Sequence, residues 1–147
     1  MCLFCKIRSS EILSHKVYED RYTLAFLDLK PVVEGHTILI PKRHVETIFD
    51  LDDYLAQNLG RVLFVVAKKL KNVYGRNLAI YCKSGSEASQ EQPHLHYHLI
   101  PRKKGDRLWG GVEGHKSLIL LDTSSGFERL SPTKEELEAI TKKINGV

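Results

Sequence analysis

Hydrophobic and polar residues alternate over short runs in the first third of the chain. Residues 16–19 and 22–29 are rich in β-forming side chains and predict two short strands joined by a turn at Glu19-Asp20-Arg21. A third strand is predicted over residues 36–41, which end on a proline. These three runs predict an antiparallel sheet near the start of the chain.

The period of the pattern changes from residue 51 to residue 74. Apolar residues now recur at spacings of three and four, which is typical of one face of an amphipathic helix. Asp50 or Asp52 can cap its first turn, and Gly75 can end it. The apolar residues that define this face are Leu55, Leu59, Val62, Leu63, Val66, Ala67 and Leu70.

Two further strands are predicted after the long helix. Residues 77–82 form the fourth, a polar loop covers residues 83–92, and a fifth strand carries His94, His96 and His98 at alternate positions. Because successive side chains of a strand point to opposite faces, the three imidazoles are expected on one face, ~6.5 to 7 Å apart. Three apolar residues are expected on the other face: Leu95, Tyr97 and Leu99.

The C-terminal part of the chain is more polar. Residues 117–121 predict one more strand, and a last helix is expected to begin at Ser131-Pro132 and to run to about Ile144. The predicted fold class is α+β: an antiparallel sheet of about five strands with one long helix packed on it, followed by a C-terminal strand and helix. A single domain over residues 1–147 is expected, with a core over 1–105 and an extension over 106–147.

Composition narrows the classes of function. The chain has 147 residues, 42% of them hydrophobic, and no run approaches the ~20 apolar residues that a membrane-spanning helix needs. The net charge of +4 is too small to predict nucleic-acid binding. The N-terminal residues lack the pattern of a secretory signal, so a cytoplasmic location is expected.

The residues alone leave the chemistry open. Clustered imidazoles can act as nucleophile, acid, base or metal ligand near neutral pH. The chain has three cysteines, an odd number that argues against a disulfide framework, and the spacing of Cys2 and Cys5 indicates metal or redox chemistry. One open alternative is a metal-dependent hydrolase or dioxygenase that uses His94 and His96 as ligands.

One motif is more specific than this general chemistry. The run His94-Leu95-His96-Tyr97-His98-Leu99-Ile100 has the form His-φ-His-φ-His-φ-φ, with φ apolar. It resembles the signature of the histidine triad (HIT) hydrolase and transferase superfamily, in its bacterial and archaeal branch. The resemblance covers roughly residues 1–105 and includes Cys2-Leu3-Phe4-Cys5-Lys6-Ile7, Ala25-Phe26-Leu27-Asp28 and the segment from Gly35 to His44.

The resemblance implies a catalytic centre in which His96 attacks the α-phosphorus of a nucleotide and carries the nucleotidyl group covalently. His98 is expected to hydrogen-bond phosphate oxygens, and Gln90 to lie near the phosphate and leaving group. Backbone N–H groups near Ser89 and Gln90 are expected to hold the phosphate. Two positions depart from the family pattern: Ser89 stands where glycine is usual, and Lys83 stands where an amide side chain is common.

The resemblance also implies a nucleoside pocket and a metal site. Asp28 is expected to accept hydrogen bonds from both ribose hydroxyls, and six apolar residues to enclose a purine: Phe4, Ile7, Ile12, Phe26, Leu27 and Leu29. Two thiolates and two imidazoles are expected to form a structural zinc site: Cys2, Cys5, His44 and His94. Family members pair as homodimers that extend the sheet, and the same is expected here.

The predicted function is therefore hydrolysis or nucleotidyl transfer at the α-phosphate of purine nucleotides, without a catalytic cofactor. Candidate substrates are nucleoside phosphoramidates, aminoacyl adenylates and dinucleoside polyphosphates. Besides the metal-dependent alternative, a non-enzymatic nucleotide-binding protein would keep Asp28 and the base pocket and tolerate the loss of His96. A nucleotidyltransferase or phosphorylase of the same superfamily would have glutamine at the third histidine, but position 98 is histidine.

Overall fold

A five-stranded antiparallel sheet forms the centre of the protein in a computed structural model, which describes residues 2–109 and 127–146. The strands lie side by side in the order β1-β2-β3-β5-β4. This confirms the predicted α+β fold class; the strand predicted over 117–121 lies outside the described residues. The elements are α1 (Leu3–Arg8), β1 (Lys16–Glu19), β2 (Thr23–Leu27), β3 (Thr37–Pro41), α2 (Asp53–Tyr74), β4 (Leu78–Cys82), β5 (Tyr97–Pro101) and α3 (Lys134–Asn145).

Strands β2 and β3 are buried on both faces, and their residues alternate between two hydrophobic clusters. Phe26 and Ile38 pack with α1 on one face, whereas Leu27 and Leu39 belong to the main core on the other face, with α2 and α3. The period of two places consecutive residues on opposite sides of the sheet. The site described below lies on the face that α1 covers.

The long helix matches its prediction closely. The Asp52 carboxylate, one of the two proposed caps, accepts a hydrogen bond of 2.8 Å from the backbone N–H of Leu55. Gly75, with φ of 86°, ends the helix as expected. Five of the predicted apolar residues are buried against the sheet: Leu55, Leu59, Val62, Val66 and Leu70.

The predicted start of the last helix was wrong by about two residues. Helix α3 begins at Lys134, and its cap is Thr133, not Ser131. The Thr133 hydroxyl accepts a hydrogen bond from the backbone N–H of Glu136, and the Glu136 carboxylate accepts one in return from the backbone N–H of Thr133. This reciprocal capping box satisfies two backbone donors, whereas a lone serine cap satisfies one.

Two local features of the fold were not predicted. The six-residue helix α1 is too short for a hydrophobic period to reveal it; Cys2 caps it, its Sγ accepting from the backbone N–H of Cys5. The histidine strand was expected to include His94, but β5 begins at Tyr97. No helix in the described ranges has the length and apolar character that crossing a membrane requires.

Candidate active site

A cleft of about 290 Å³ opens on the α1 side of the sheet, at the ends of β2, β4 and β5. It brings together nearly all of the residues that the sequence assigned to phosphate and nucleoside binding. Its polar wall contains Asp28, Lys83, Ser89, Gln90, Glu91, Gln92, His96, His98 and Arg129, and its apolar wall contains Phe4, Ile7, Ile12, Phe26, Leu29 and Ile38.

The protonation of His96 follows from its hydrogen bond. Its Nδ1 lies 2.8 Å from the backbone carbonyl oxygen of His94. Because a carbonyl can only accept, Nδ1 carries the proton and donates it, which leaves the lone pair of a neutral ring on Nε2. The Phe4 ring packs edge-on at 4.9 Å and, with the rest of the site, leaves His96 only 8% exposed. His96 is therefore held as a neutral imidazole with a defined nucleophilic nitrogen.

His98 is oriented by a histidine that the sequence analysis did not select. The backbone N–H of Val32 donates to Nδ1 of His36 at 3.2 Å, so a neutral His36 carries its proton on Nε2. That nitrogen lies 2.8 Å from Nδ1 of His98 and donates to it. The proton of a neutral His98 is then on Nε2, on the opposite side of the ring, where it can meet a ligand oxygen. Tyr81 stacks on His98 with ring centroids 4.5 Å apart.

Burial keeps all three of these rings neutral. Burial lowers the pKa of His36 to about 4, although Asp28 acts in the opposite direction. Burial lowers the pKa of His98 to about 2, and the neighbouring His36, His96, Arg129 and Lys83 act in the same direction. The pKa of His96 is also lowered, again chiefly by burial. At neutral pH the cleft therefore presents one imidazole lone pair and one imidazole N–H instead of two cations.

The predicted nucleoside residues meet in the cleft with one exception. Asp28 lies at the end of β2, and Phe26 reaches the cleft two residues before it. Leu27, however, belongs to the main core on the opposite face and does not line the cleft. The alternation of a strand requires this, because neighbours of Leu27 on both sides face the cleft. Leu29, 44% exposed, lies at the rim.

The loop between β4 and β5 forms the phosphate side of the cleft. Ser89 has φ of 63°, a left-handed conformation that explains why glycine is usual there. The expected role of its N–H group is not seen in this conformation, because the backbone N–H groups of Ser89 and Gln90 donate within the loop, to Ser86 and Gly85. The Gln90 amide accepts from the N–H of Gly85 and donates to the carbonyl of Glu46, so it holds the loop in place.

A second cluster joins the N-terminus to the start of the histidine segment. Each sulfur of Cys2 and Cys5 lies 3.3 to 3.6 Å from Nδ1 of both His44 and His94. Two thiol protons can serve at most two of these four contacts. A tetrahedral zinc ion, with Zn–S of about 2.3 Å and Zn–N of about 2.0 Å, sets its S···N edges at roughly 3.5 Å and accounts for all four.

The orientation of His94 also fits a metal ligand. Its Nε2 lies 2.8 Å from the carbonyl oxygen of Pro41 and donates to it, which leaves the lone pair on Nδ1, facing the sulfurs. All three histidines of the motif lie on the side of the sheet that α1 covers, since Phe4 packs against the rings of both His94 and His96. His94 turns to the cysteines, while His96 and His98 face the cleft with ring centroids 4.9 Å apart.

The rival metal site is poorly supported by these contacts. His96 belongs to neither group of potential metal ligands within the described residues, whereas His94 groups with the cysteines. Asp28, His36 and His98 also lie close enough to share an ion. However, the lone pairs of both imidazoles in that group already accept hydrogen bonds, His36 from Val32 and His98 from His36.

The comparisons with known proteins agree with this geometry. The HIT domain family matches residues 9–105. The chain belongs to the HIT family. An adenosine 5'-monophosphoramidase of Saccharomyces cerevisiae is 39% identical over 139 residues, which cover 94% of this chain and 81% of the yeast protein. That relative is a nucleotide hydrolase by name.

Solved structures of HIT proteins share the fold. A Hit-like protein of Bartonella henselae superimposes with a TM-score of 0.79 at 27% identity, over 99% of this chain and 94% of that protein. A zinc-bound histidine triad protein of Mycobacterium smegmatis superimposes with a TM-score of 0.70 at 26% identity, over 99% and 96%. The assignment of this HIT protein to a bacterial and archaeal branch stays a prediction.

Proposed function

We propose that this HIT protein hydrolyses purine nucleoside 5'-phosphates that carry a substituent on the α-phosphate, through a covalent nucleotidyl group on His96. The observation that carries the proposal is the hydrogen bond from Nδ1 of His96 to the carbonyl of His94, which leaves Nε2 as a neutral nucleophile in the cleft. The relationship to an adenosine 5'-monophosphoramidase supports a nucleoside phosphoramidate as the substrate.

The proposed reaction has two displacements at phosphorus. Nε2 of His96 attacks, a P–N bond forms, and the bond to the leaving group breaks; an amine leaving group takes up a proton from solvent and departs neutral. The ring then carries positive charge, which the carbonyl of His94 stabilises by accepting the hydrogen bond from Nδ1–H. The Nε2–H of His98 donates to a phosphate oxygen. Water attacks in the second step, breaks the P–N bond and loses a proton to solvent, which releases the nucleoside monophosphate and a neutral His96.

The function is tested by incubating the protein with adenosine 5'-phosphoramidate and following AMP and ammonia. Catalytic turnover with equal amounts of both products is expected. The same measurement with a dinucleoside polyphosphate determines whether the protein also accepts a phosphate leaving group. Tight binding of AMP without turnover of either compound would contradict the proposal and favour a non-enzymatic nucleotide-binding protein.

The pH dependence of the reaction provides a second test. Because burial lowers the pKa of His96, the neutral nucleophile is fully present above the ordinary histidine pKa of ~6.5 and is lost only as pH falls through the lowered value. We expect kcat/KM for the p-nitrophenyl ester of AMP, whose leaving group needs no proton, to be constant from pH 8 down to ~6.5. An acid limb centred above 6.5, with zinc content and circular dichroism unchanged, would contradict this assignment.

We also propose that Cys2, Cys5, His44 and His94 bind a structural zinc ion. The tetrahedral spacing of their ligand atoms and the zinc-bound relative from Mycobacterium smegmatis support this. When bound, the ion holds the N-terminal segment against the start of β5 and supplies no chemistry to the cleft. A homodimer with an extended sheet and a cytoplasmic location stay predictions, and sedimentation measures the first.

A further inference from the structure

Arg129 enters the cleft from outside the part of the chain that matches the HIT domain. It follows residues 9–105 in the C-terminal extension, yet its guanidinium lines the same cleft as His96 and His98. Its Nη1 lies 3.3 Å from Oδ2 of Asp28 and donates to the backbone carbonyl of Lys30 at 3.1 Å. The arginine therefore contacts the carboxylate that the proposed function assigns to the ribose.

The segment that carries Arg129 is anchored on both sides. The backbone N–H of Leu130 donates to the carbonyl of Pro31 at 2.9 Å. The guanidinium of Arg107 donates to the carbonyl of Glu128 at 2.6 Å and to that of Val32 at 2.9 Å. Because both neighbours of Arg129 are tied to the region after β2, its side chain reaches Asp28 from a defined backbone position.

The contacts of Asp28 leave room for two more hydrogen bonds. An ionised carboxylate has about four acceptor sites, two on each oxygen. Among the described contacts, Oδ1 accepts from the backbone N–H of Lys30 at 2.9 Å and Oδ2 accepts from Arg129. One site per oxygen then remains, which suits two vicinal hydroxyls. His36 does not occupy either of these sites, because its Nδ1, which lies 3.7 Å from Oδ2, already accepts a hydrogen bond from the backbone N–H of Val32 and has no proton to donate.

The pair is also sheltered from solvent. The side chains of Asp28 and Arg129 are 16% and 22% exposed, so their attraction is less screened than that of a surface ion pair. With a donor on each oxygen, the plane of the carboxylate cannot rotate freely. A ribose therefore meets an acceptor that is already charged and oriented.

We propose that Arg129 is a positioning residue for nucleoside recognition: it holds the Asp28 carboxylate so that both remaining acceptor sites face the 2'- and 3'-hydroxyls of a ribonucleotide. The inference rests on the proposed function, since the ribose role of Asp28 belongs to it. It predicts that Arg129 contributes to the selection of ribonucleotides over deoxynucleotides and has little effect on the chemical step.

The test compares AMP with 2',3'-dideoxy-AMP by calorimetric titration of the wild type, Arg129→Ala and Arg129→Lys. For the wild type we expect AMP to bind on the order of 100-fold more tightly, because each hydrogen bond to a charged acceptor contributes about tenfold or more. Arg129→Ala should weaken the binding of AMP about tenfold and leave the binding of the dideoxy compound unchanged. Arg129→Lys should bind AMP about threefold more tightly than Arg129→Ala. Glu128→Ala is the matched control, since Glu128 is an exposed neighbour in the same segment.

Three results would overturn the inference. If Arg129→Ala loses affinity equally for both nucleotides, Arg129 acts on the phosphate or on the general structure. If both affinities are unchanged, Arg129 has no role in recognition. If Arg129→Ala binds AMP more tightly, Arg129 competes with the ribose for Asp28. Turnover of ribose and dideoxy phosphoramidates distinguishes a failure of the proposed function from a failure of the proposed role of Arg129. A wild type that neither binds AMP nor turns over either compound contradicts the proposed function itself, whereas an active wild type with any of these three results contradicts only the role of Arg129.

Discussion

Replacing His96 by alanine is expected to lower kcat for adenosine 5'-phosphoramidate by about a thousandfold or more, because the variant lacks the only group assigned to attack phosphorus. Binding of AMP should change by less than about tenfold, since Asp28 and the apolar wall remain in place. Steady-state rates and calorimetric affinities measure the two effects. A variant with near-normal turnover would contradict covalent catalysis by His96.

A matched variant at the neighbouring histidine separates the nucleophile from the phosphate donor. His98→Asn removes the Nε2–H donor and should slow the reaction, but it leaves Nε2 of His96 able to form the covalent intermediate. Mass spectrometry after a rapid acid-free quench should therefore detect nucleotidylated protein in His98→Asn and none in His96→Ala. A nucleotidyl group detected on His96→Ala would show that another residue is the nucleophile.

Replacing Cys5 by serine is expected to abolish stoichiometric zinc binding and to lower the free energy of unfolding. The thiolate is one of the four proposed ligands, Cys2, Cys5, His44 and His94, and serine is a poor substitute for it. At free zinc about 1,000 times above Kd, the loss amounts to about 4 kcal/mol. Metal analysis and denaturant unfolding in defined zinc buffers measure both quantities.

Cys82→Ser is the control for that experiment, because Cys82 is a partly buried thiol that lies outside the cluster. A chelator should lower the Tm of the wild type and of Cys82→Ser, and it should leave that of Cys5→Ser unchanged. Full retention of zinc by Cys5→Ser, or equal stability of the two variants, would contradict the proposed ligands.

The proposed zinc site also contacts the proposed nucleophile, so zinc loss should reduce catalysis. His94 supplies the carbonyl that holds Nδ1 of His96, and Phe4 of α1 packs against the rings of both histidines. We expect Cys5→Ser to lower kcat as well as stability. The remaining activity of this variant then reports how firmly the rest of the fold positions His96 on its own.

Much of the site could be predicted because local chemistry and periodicity report it directly. The motif around His96 and His98, the Cys2-x-x-Cys5 pair and the apolar positions of α2 are all visible in the printed sequence. One error lies where the resemblance was carried over without the alternation of the strand. Leu27 was placed in the purine pocket because it matches an apolar position of the family, although strand alternation turns it into the main core.

The sequence by itself determined the fold class, the extent of the long helix and the family, because each depends on residues close together along the chain. Only the tertiary structure decided that His36 orients His98 and that Arg129 reaches Asp28. These contacts join residues 62 to 101 positions apart. The folding of the sheet brings such residues together, and no local pattern of hydrophobic and polar residues records which distant side chains will meet.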